Sequence, residues 1–430
     1  MTGPANRIGI IAGSGSLPRE VAESVVARGG SVHVVMVDGA ADASLAAFPH
    51  TVVNWAQPGR TTAALRQAGV RDVVMLGGYQ RPNLRTARPD LAFFQMLPAV
   101  WRLLRAGGDD AVLRGLVALF ETRGLNVVGV GEVARDLLIE DGPQTRREPS
   151  EQDRADAERG FALVAALGRY DIGQATVVAN GRVEAIEGAE GTDRMLKRVA
   201  EARRVAGSPP RGGVLVKRPK PGQDLRVDLP AIGPSTVENA AAAGLSGMAV
   251  MAGHVLCAER ARVIAEADAR GLFVAGFGKQ PLSESKSTNE DCAVGALGLA
   301  SVNDAAAADI RRGASILTTL SDFGTGSAVV VDRKRVIAVG TDEAPRDVIR
   351  RAAGLRSVQK RRGIVVVGHG YETDEGVLCA AAEGKFAGVA AVSETGTPNF
   401  SESIIGLAEK LGVFIATVDL ASREGEHRRD

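Results

Sequence analysis

The sequence predicts an α/β protein: a Rossmann-like N-terminal domain, then a second α/β domain, then a degenerate repeat of that second domain. Three observations carry this reading. Short β-branched runs alternate with helical stretches through the first third of the chain, the pattern of a mostly parallel sheet with helices on both faces. A charged stretch, DGPQTRREPSEQDRADAERG (141–160), breaks that pattern before a new block of strands and helices begins. Residues 304–420 then repeat the apolar runs of that block at near-constant offsets, the mark of an internal duplication.

Taken in order, RIGIIAG (7–13), SVHVVMVD (31–38), HTVVNW (50–55), DVVMLGG (72–78) and LNVVGVG (125–131) read as buried strands. Segments near 17–29, 59–69, 91–106 and 109–123 carry helical periodicity, which assigns 1–147 to the first domain. Residues 151–277 form the second, with strands in QATVVANGRVEAIE, GVLVKRP, GMAVMAG and GLFVAGF. KQPLSESKSTNEDC (279–292) is polar, so 278–303 is read as a linker. The repeat at 304–420 pairs ATVV (175–178) with AVVV (328–331) and MLKR (195–198) with VIRR (348–351), both at offset 153. GVLV (213–216) meets GIVV (363–366) at offset 150, and GLFVA (271–275) meets GVFIA (412–416) at offset 141.

Composition narrows the function. A net charge of +1 and 4% aromatic residues give no footprint for nucleic acid. Cys257, Cys292 and Cys379 lie far apart in no metal spacing, which suits a reducing compartment. No apolar run reaches the roughly 18 residues of a membrane span, and the N-terminus lacks a signal-peptide pattern, so a cytoplasmic protein is expected. The five histidines are scattered, and neither a G-x-S-x-G elbow nor a G-x-x-x-x-G-K-[ST] loop occurs.

Three segments offer chemistry. AGSGSLP (12–18) follows the first strand and opens a helix. Its backbone N–H groups suit an anion, which makes Gly13, Ser14 and Gly15 candidate substrate-binding residues. Pro18 stands where a dinucleotide fingerprint has its third glycine, and Asp38 ends the second strand, so nucleotide, phosphate and NAD binding and a plain tight turn all fit. IEGAEGTDRML (186–196) puts Glu190, Thr192 and Asp193 on a turn that opens a helix, where they serve a site or simply cap the helix. In VKRPKPGQDLRVDLPAIG (216–233), prolines stiffen an irregular loop after an apolar strand. There Lys217, Lys220 and Arg226 supply charge against phosphate, and Asp224 and Asp228 are oxygen ligands suited to Mg²⁺; a solvated charged loop is the plain alternative. The apolar run at 91–104 fits a core helix or contact with lipid chains.

The repeat is an internal comparison. EGTD (190–193) becomes EAPR (343–346), and Lys217 becomes Val367. The offset falls from 150 to 141, so nine residues are missing near the QDLRVDLPAIG loop. Scaffold strands persist while acids, lysines and loop are gone, as expected of an inactive copy beside an active one.

The ordered set IAGSGSLP, LGGYQRPNL, GDDAVLRG, DIGQATVVANGRV, EGTDRML and KPGQDLRVDLPAIGPSTVENA, from about 7 to 277, resembles the LpxI family of UDP-2,3-diacylglucosamine pyrophosphatases of lipid A synthesis. The resemblance implies that 151–277 is the catalytic domain. It implies Mg²⁺- or Mn²⁺-dependent attack of water on the diphosphate, giving UMP and 2,3-diacylglucosamine 1-phosphate. The family's key aspartate falls by motif on Asp228, as a metal ligand or water-orienting group. By position, Glu190 and Asp193 join it as catalytic residues and Asp224 at the metal, with Thr192, Lys217, Lys220, Gln223 and Arg226 binding substrate. A lipid substrate implies peripheral contact with the inner-membrane surface. The copy at 304–420 is expected to pack on its sister as a pseudo-dimer inside one chain. Two rival readings remain: an NAD-dependent oxidoreductase using the AGSGSLP loop, and a non-catalytic nucleotide-sugar binding protein.

Overall fold

The computed structural model describes residues 7–78, 86–95, 109–207, 212–278, 293–297, 302–356, 359–393 and 400–419. The N-terminal strands β1 (Arg7–Ala12), β2 (Ser31–Val37), β3 (His50–Val53), β4 (Asp72–Leu76) and β5 (Asn126–Val127) form one parallel sheet in the order β3-β2-β1-β4-β5. The run expected as a strand over 125–131 keeps only those two strand residues before a short helix at Val130–Val133. Successive residues of a strand face opposite sides. Ile10, Val34 and Val74 therefore pack with Val21 and Val25 of the helix Leu17–Ala27, while Ile11, Val35 and Val73 pack with Leu65 and Phe120 on the other face. The chain winds outward through β2 and β3, then returns to β4 beside β1. That reversal makes the carboxyl ends of β1 and β4 a topological switch point, where ligands bind in open α/β sheets. Residues 91–95 are helical, and the rest of the segment expected as a helix over 91–106 lies outside the described residues.

The two copies repeat the same order of elements, except that two short strands of the first, Ala231–Ile232 and Leu256–Cys257, have no counterpart among the described residues of the second. In the first, β6 (Gly142–Pro143) and the helix Glu151–Gly168 precede β7 (Ala175–Ala179), β8 (Arg182–Ile186), the helix Thr192–Val205 and β9 (Val214–Lys217). There follow β10 (Ala231–Ile232), the helix Pro234–Ala242, β11 (Gly247–Met251), β12 (Leu256–Cys257), the helix Arg260–Arg270 and β13 (Phe273–Phe277). In the second, β14 (Ala293–Leu297) and the helix Asp304–Ser321 precede β15 (Ala328–Asp332), β16 (Arg335–Val339), the helix Pro345–Gly354 and β17 (Ile364–Val367). The helix Glu375–Glu383, β18 (Gly388–Ser393), the helix Glu402–Leu411 and β19 (Phe414–Asp419) complete it, in a sheet of order β14-β19-β18-β17-β15-β16.

Register and turns repeat in detail. β7 pairs antiparallel with β8 and β9, as β15 does with β16 and β17. Both hairpins carry an irregularity at the matched place, between Val177 and Val178 and between Val330 and Val331. In both, a helix carboxylate closes the turn: Asp156 accepts from the amides of Asn180 and Gly181, and Asp309 from those of Arg333 and Lys334. Asn-Gly suits a turn with φ above zero at both central residues. Arg333 and Lys334 hold φ of 53° and 66° without that help, with both amides bonded to the Asp309 carboxylate. Ala293–Leu297, placed in the expected linker, is instead an edge strand antiparallel to β19; its AVGAL sequence is apolar enough to complete the sheet. Residues 279–292 lie outside the described residues.

Two compact units result, and they do not follow chain order. One comprises residues 1–148, 222–238 and 249–280; the other comprises 149–221, 239–248 and 281–430. The domain expected over 151–277 is thus divided. Its 222–238 segment belongs with the N-terminal sheet because Val227 packs on the Val73 and Phe120 cluster, and Leu229 and Ala231 pack on the Ile10 and Val74 cluster.

Inside the second unit the copies meet through reciprocal contacts. Arg159 donates to the carbonyl of Phe323 at 2.8 Å and lies 5.7 Å from its ring centroid. Its counterpart Arg312 donates to the carbonyl of Tyr170 at 2.9 Å and lies 5.8 Å from that ring. Each pair is the other shifted by 153 residues. Leu163, Leu167, Tyr170, Val178 and Ile186 share one buried cluster with Ile310, Leu317, Val331 and Val339. Contacts in which i meets j and the counterpart of j meets the counterpart of i are those of a two-fold axis.

Candidate active site

In the second unit, a chain of hydrogen bonds links the end of β8 to the end of β9. Lys217 is the last residue of β9 and only 7% exposed. Its Nζ donates to Thr192 Oγ1 at 2.9 Å, and Thr192 Oγ1 donates to Glu187 Oε1 at 2.8 Å. Glu187 Oε2 accepts from the Gln174 amide at 2.7 Å. Thr192 does not cap its helix: Gly191 holds the N-cap position without a side-chain bond. The capping alternative therefore fails for Thr192, whose hydroxyl is committed to Lys217 and Glu187. Asp193 lies exposed in the first turn of that helix, where a carboxylate complements the dipole.

Arg218, the next residue, is 1% exposed. Its Nη1 reaches the Phe161 carbonyl at 3.3 Å, and its Nη2 has no partner among the described residues. Burial lowers its pKa. Two consecutive buried cations with no carboxylate on either side chain among the described residues are costly and favour an arriving anion. Lys220, by contrast, is ion-paired with Asp171. Pro221 packs closely on Gly168, where a Cβ would stand 2.2 Å from its Cδ.

Glu190 is placed elsewhere. Its Oε1 meets Arg198 Nη2 at 3.2 Å and Arg351 Nη1 at 3.3 Å, while Glu343 meets the same two arginines. Glu190 and Glu343, like Arg198 and Arg351, are counterparts at offset 153. This is a symmetric buried quartet between the copies, and burial, followed by the neighbouring Arg351, lowers the pKa of Arg198. The structure places the Glu190 carboxylate in this quartet, where it bridges the two copies.

In the first unit, the loop after Gly222 is tied by its own side chains. Arg226 Nε and Nη2 grip both oxygens of Asp224 at 2.9 and 2.7 Å, and Nη1 reaches Glu121 at 2.8 Å. The guanidinium of Arg226 holds the Asp224 carboxyl below the usual carboxylate range, and Asp224 raises the pKa of Arg226 in turn. Gln223, buried, donates to the Asp228 carbonyl at 2.7 Å, and the Asp228 amide donates to the Asp224 carbonyl at 3.1 Å. Arg226 and Gln223 brace the loop that carries Asp228. Asp224 does not fit a metal while Arg226 holds both its oxygens. Among the described residues no group of three His, Cys, Asp or Glu side chains converges as a metal site.

The AGSGSLP loop also differs from expectation. The Gly13 amide donates to the Leu76 carbonyl and the Ser14 amide to Gly78, both at 2.9 Å, and Ser14 Oγ bonds the same Gly78 carbonyl. A Cβ on Gly13 would lie 2.6 Å from Gly78 O, so glycine is what lets the two loops close at the switch point. These two amides are hydrogen-bonded within the protein. Gly15, at φ 100°, is open on its Cα side.

Residues 7–137 match the LpxI N-terminal domain, and residues 140–275 and again 293–372 match the LpxI C-terminal domain. The chain belongs to the LpxI family. The UDP-2,3-diacylglucosamine pyrophosphatase LpxI of Caulobacter vibrioides is 39% identical over 276 residues, covering 98% of that protein and 64% of this chain. A solved glycinamide-RNase-transformylase T from Mycobacterium tuberculosis aligns with 43% of this chain and 44% of its own at a TM-score of 0.17 and 15% identity, too remote to bear on fold or function. The second match to the LpxI C-terminal domain corroborates the duplication seen in the strands and turns. This LpxI family member also carries Glu187 and Arg218, which sequence reasoning missed. Their one signal was the repeat itself, where Glu187 becomes Gly340 and Arg218 becomes Gly368.

Proposed function

We propose that this chain hydrolyses the diphosphate of UDP-2,3-diacylglucosamine to UMP and 2,3-diacylglucosamine 1-phosphate in lipid A synthesis. Membership of the LpxI family and the activity named for the Caulobacter relative support the substrate. The observation that carries the chemistry is Lys217: a buried ammonium whose described partner is a hydroxyl. Two of its three protons remain for phosphate oxygens, and a charge-assisted bond from a desolvated cation is among the strongest a site can offer. Asp228 is the catalytic carboxylate of this reading. Held by Gln223 and Asp224 through its backbone, it orients the attacking water and draws off its proton. Asp193, in the exposed first turn beside Thr192, stays an assignment by position.

Mg²⁺ or Mn²⁺ would neutralise charge on the diphosphate, and Mg²⁺ arriving with phosphates needs only one or two protein carboxylates. Asp228 is the one assigned to it. Exhaustive EDTA treatment is expected to abolish turnover and added Mg²⁺ or Mn²⁺ to restore it; an undiminished rate after chelation rejects the metal. Lys217→Ala is expected to lower kcat/KM by about tenfold to a hundredfold. Lys220→Ala should do less, since Asp171 already neutralises that charge. Wild-type kinetics for the Lys217 variant would remove it from the site.

No described helix is long and apolar enough to cross a membrane. Leu91 and Phe94 are 74% and 54% exposed, which supports peripheral contact with the inner membrane on its cytoplasmic side. The reciprocal contacts support the further reading that the second copy stands in for the partner subunit of a homodimer. Purified protein incubated with UDP-diacylglucosamine and Mg²⁺ in ¹⁸O water tests the activity. Labelled UMP or labelled sugar phosphate identifies the phosphorus attacked, and absence of both rejects the reading.

A further inference from the structure

We propose that Glu187 is a positioning residue for the diphosphate-binding ammonium of Lys217, acting through the Thr192 hydroxyl. The inference rests on Lys217 being the anion-binding group. Glu187 follows β8, and the Gln174 amide fixes one of its oxygens. Its other oxygen takes the single proton of Thr192, so Thr192 meets Lys217 only through a lone pair. The order of donors is thereby set: ammonium to hydroxyl, hydroxyl to carboxylate. One Lys217 proton is pinned, and the other two point in fixed directions. Because the hydroxyl intervenes, Lys217 is not closed into a direct ion pair, and its charge stays available to an incoming anion. Electrostatic groups fixed before the ligand arrives need no reorganisation when it binds.

The second copy supplies the control. Gln174, Glu187, Thr192 and Lys217 correspond to Ser327, Gly340, Pro345 and Val367. Every donor and acceptor side chain of the relay beyond Ser327 is gone at once. The surrounding backbone is unchanged: the Glu187 amide donates to Ala175 at 3.0 Å, and the Gly340 amide donates to Ala328 at 2.8 Å. Ala175 pairs with Lys217 as Ala328 pairs with Val367. This fold closes without the relay, so the relay serves something other than folding.

The test uses the full chain as wild type, Glu187→Ala, Glu187→Gln, Lys217→Ala and the double variant Glu187→Ala/Lys217→Ala. Hydrolysis of UDP-2,3-diacylglucosamine and calorimetric binding of inorganic pyrophosphate are measured, with thermal unfolding as a check on folding. Glu187→Ala is expected to lower kcat/KM and pyrophosphate affinity at least about tenfold. Glu187→Gln, which keeps an acceptor oxygen, should recover part of that loss and serves if the alanine variant does not fold. In the Lys217→Ala background the same change should cost less than about twofold, because its effect passes through the ammonium. Wild-type values for both Glu187 variants, or a full tenfold loss added to Lys217→Ala, overturn the inference. If the wild type fails to hydrolyse the lipid yet pyrophosphate binding shows the expected losses, the substrate reading falls and Glu187 keeps its role.

Discussion

Asp228→Ala is expected to lower turnover about a thousandfold, or roughly 4 kcal/mol of barrier, while substrate affinity changes little. The bonds that seat Asp228 in its loop, to Gln223 and Asp224, use its backbone carbonyl and amide. Alanine keeps both, and the Arg226 fork on Asp224 does not involve residue 228. Thermal unfolding of the variant checks that the loop survives, so that the loss can be read as chemical. Rates under saturating substrate, with affinity from equilibrium binding of UDP-diacylglucosamine, separate the two. A variant retaining more than about a tenth of the wild-type rate would show that Asp228 is not essential.

Ending the chain after Gly278 is expected to cause dimerisation or aggregation without removing any residue assigned to the site. The cut uncovers Leu163, Leu167, Tyr170, Val178 and Ile186, which now share a core with the second copy. Each large apolar side chain returned to water costs about 1.5–3 kcal/mol. It also strips Arg351 and Glu343 from the buried quartet, leaving Glu190 with Arg198 alone. The exposed face is self-complementary, since Arg159 over Phe323 and Arg312 over Tyr170 are the same contact twice, so a second truncated chain offers the missing surface. Light scattering and sedimentation decide it. A truncated protein that stays monomeric and unfolds at the wild-type temperature would show that the second copy covers nothing.

The alternation of apolar runs in 7–78 was enough to place four of the five parallel strands, because strand and helix periods are local properties. The fifth shrank to Asn126–Val127, since a helix starts at Val130 inside the same apolar run, and composition does not separate the two. The repeat offsets matched the strands and showed the loss of Lys217 at Val367, and the irregularities at Val177 and Val330 fall at the same offset of 153. They also held the clue to Glu187, matched by Gly340, although within IEGAEGTDRML only Glu190, Thr192 and Asp193 were singled out.

The sequence by itself determined the α/β class, the duplication and the survival of polar groups in one copy, all of which follow from the spacing of residue types along the chain. Tertiary structure alone decided which charge meets which. Glu190, two residues from Thr192, turns to Arg351, 161 positions away, while Glu187 takes the Thr192 hydroxyl. Asp224, four residues before Asp228, is taken by Arg226, and the 222–238 segment leaves its own domain for the N-terminal core. Charge–charge energies fall with distance and rise steeply as water is excluded. Partner choice therefore depends on ångström-scale placement and burial, which neither spacing nor composition encodes.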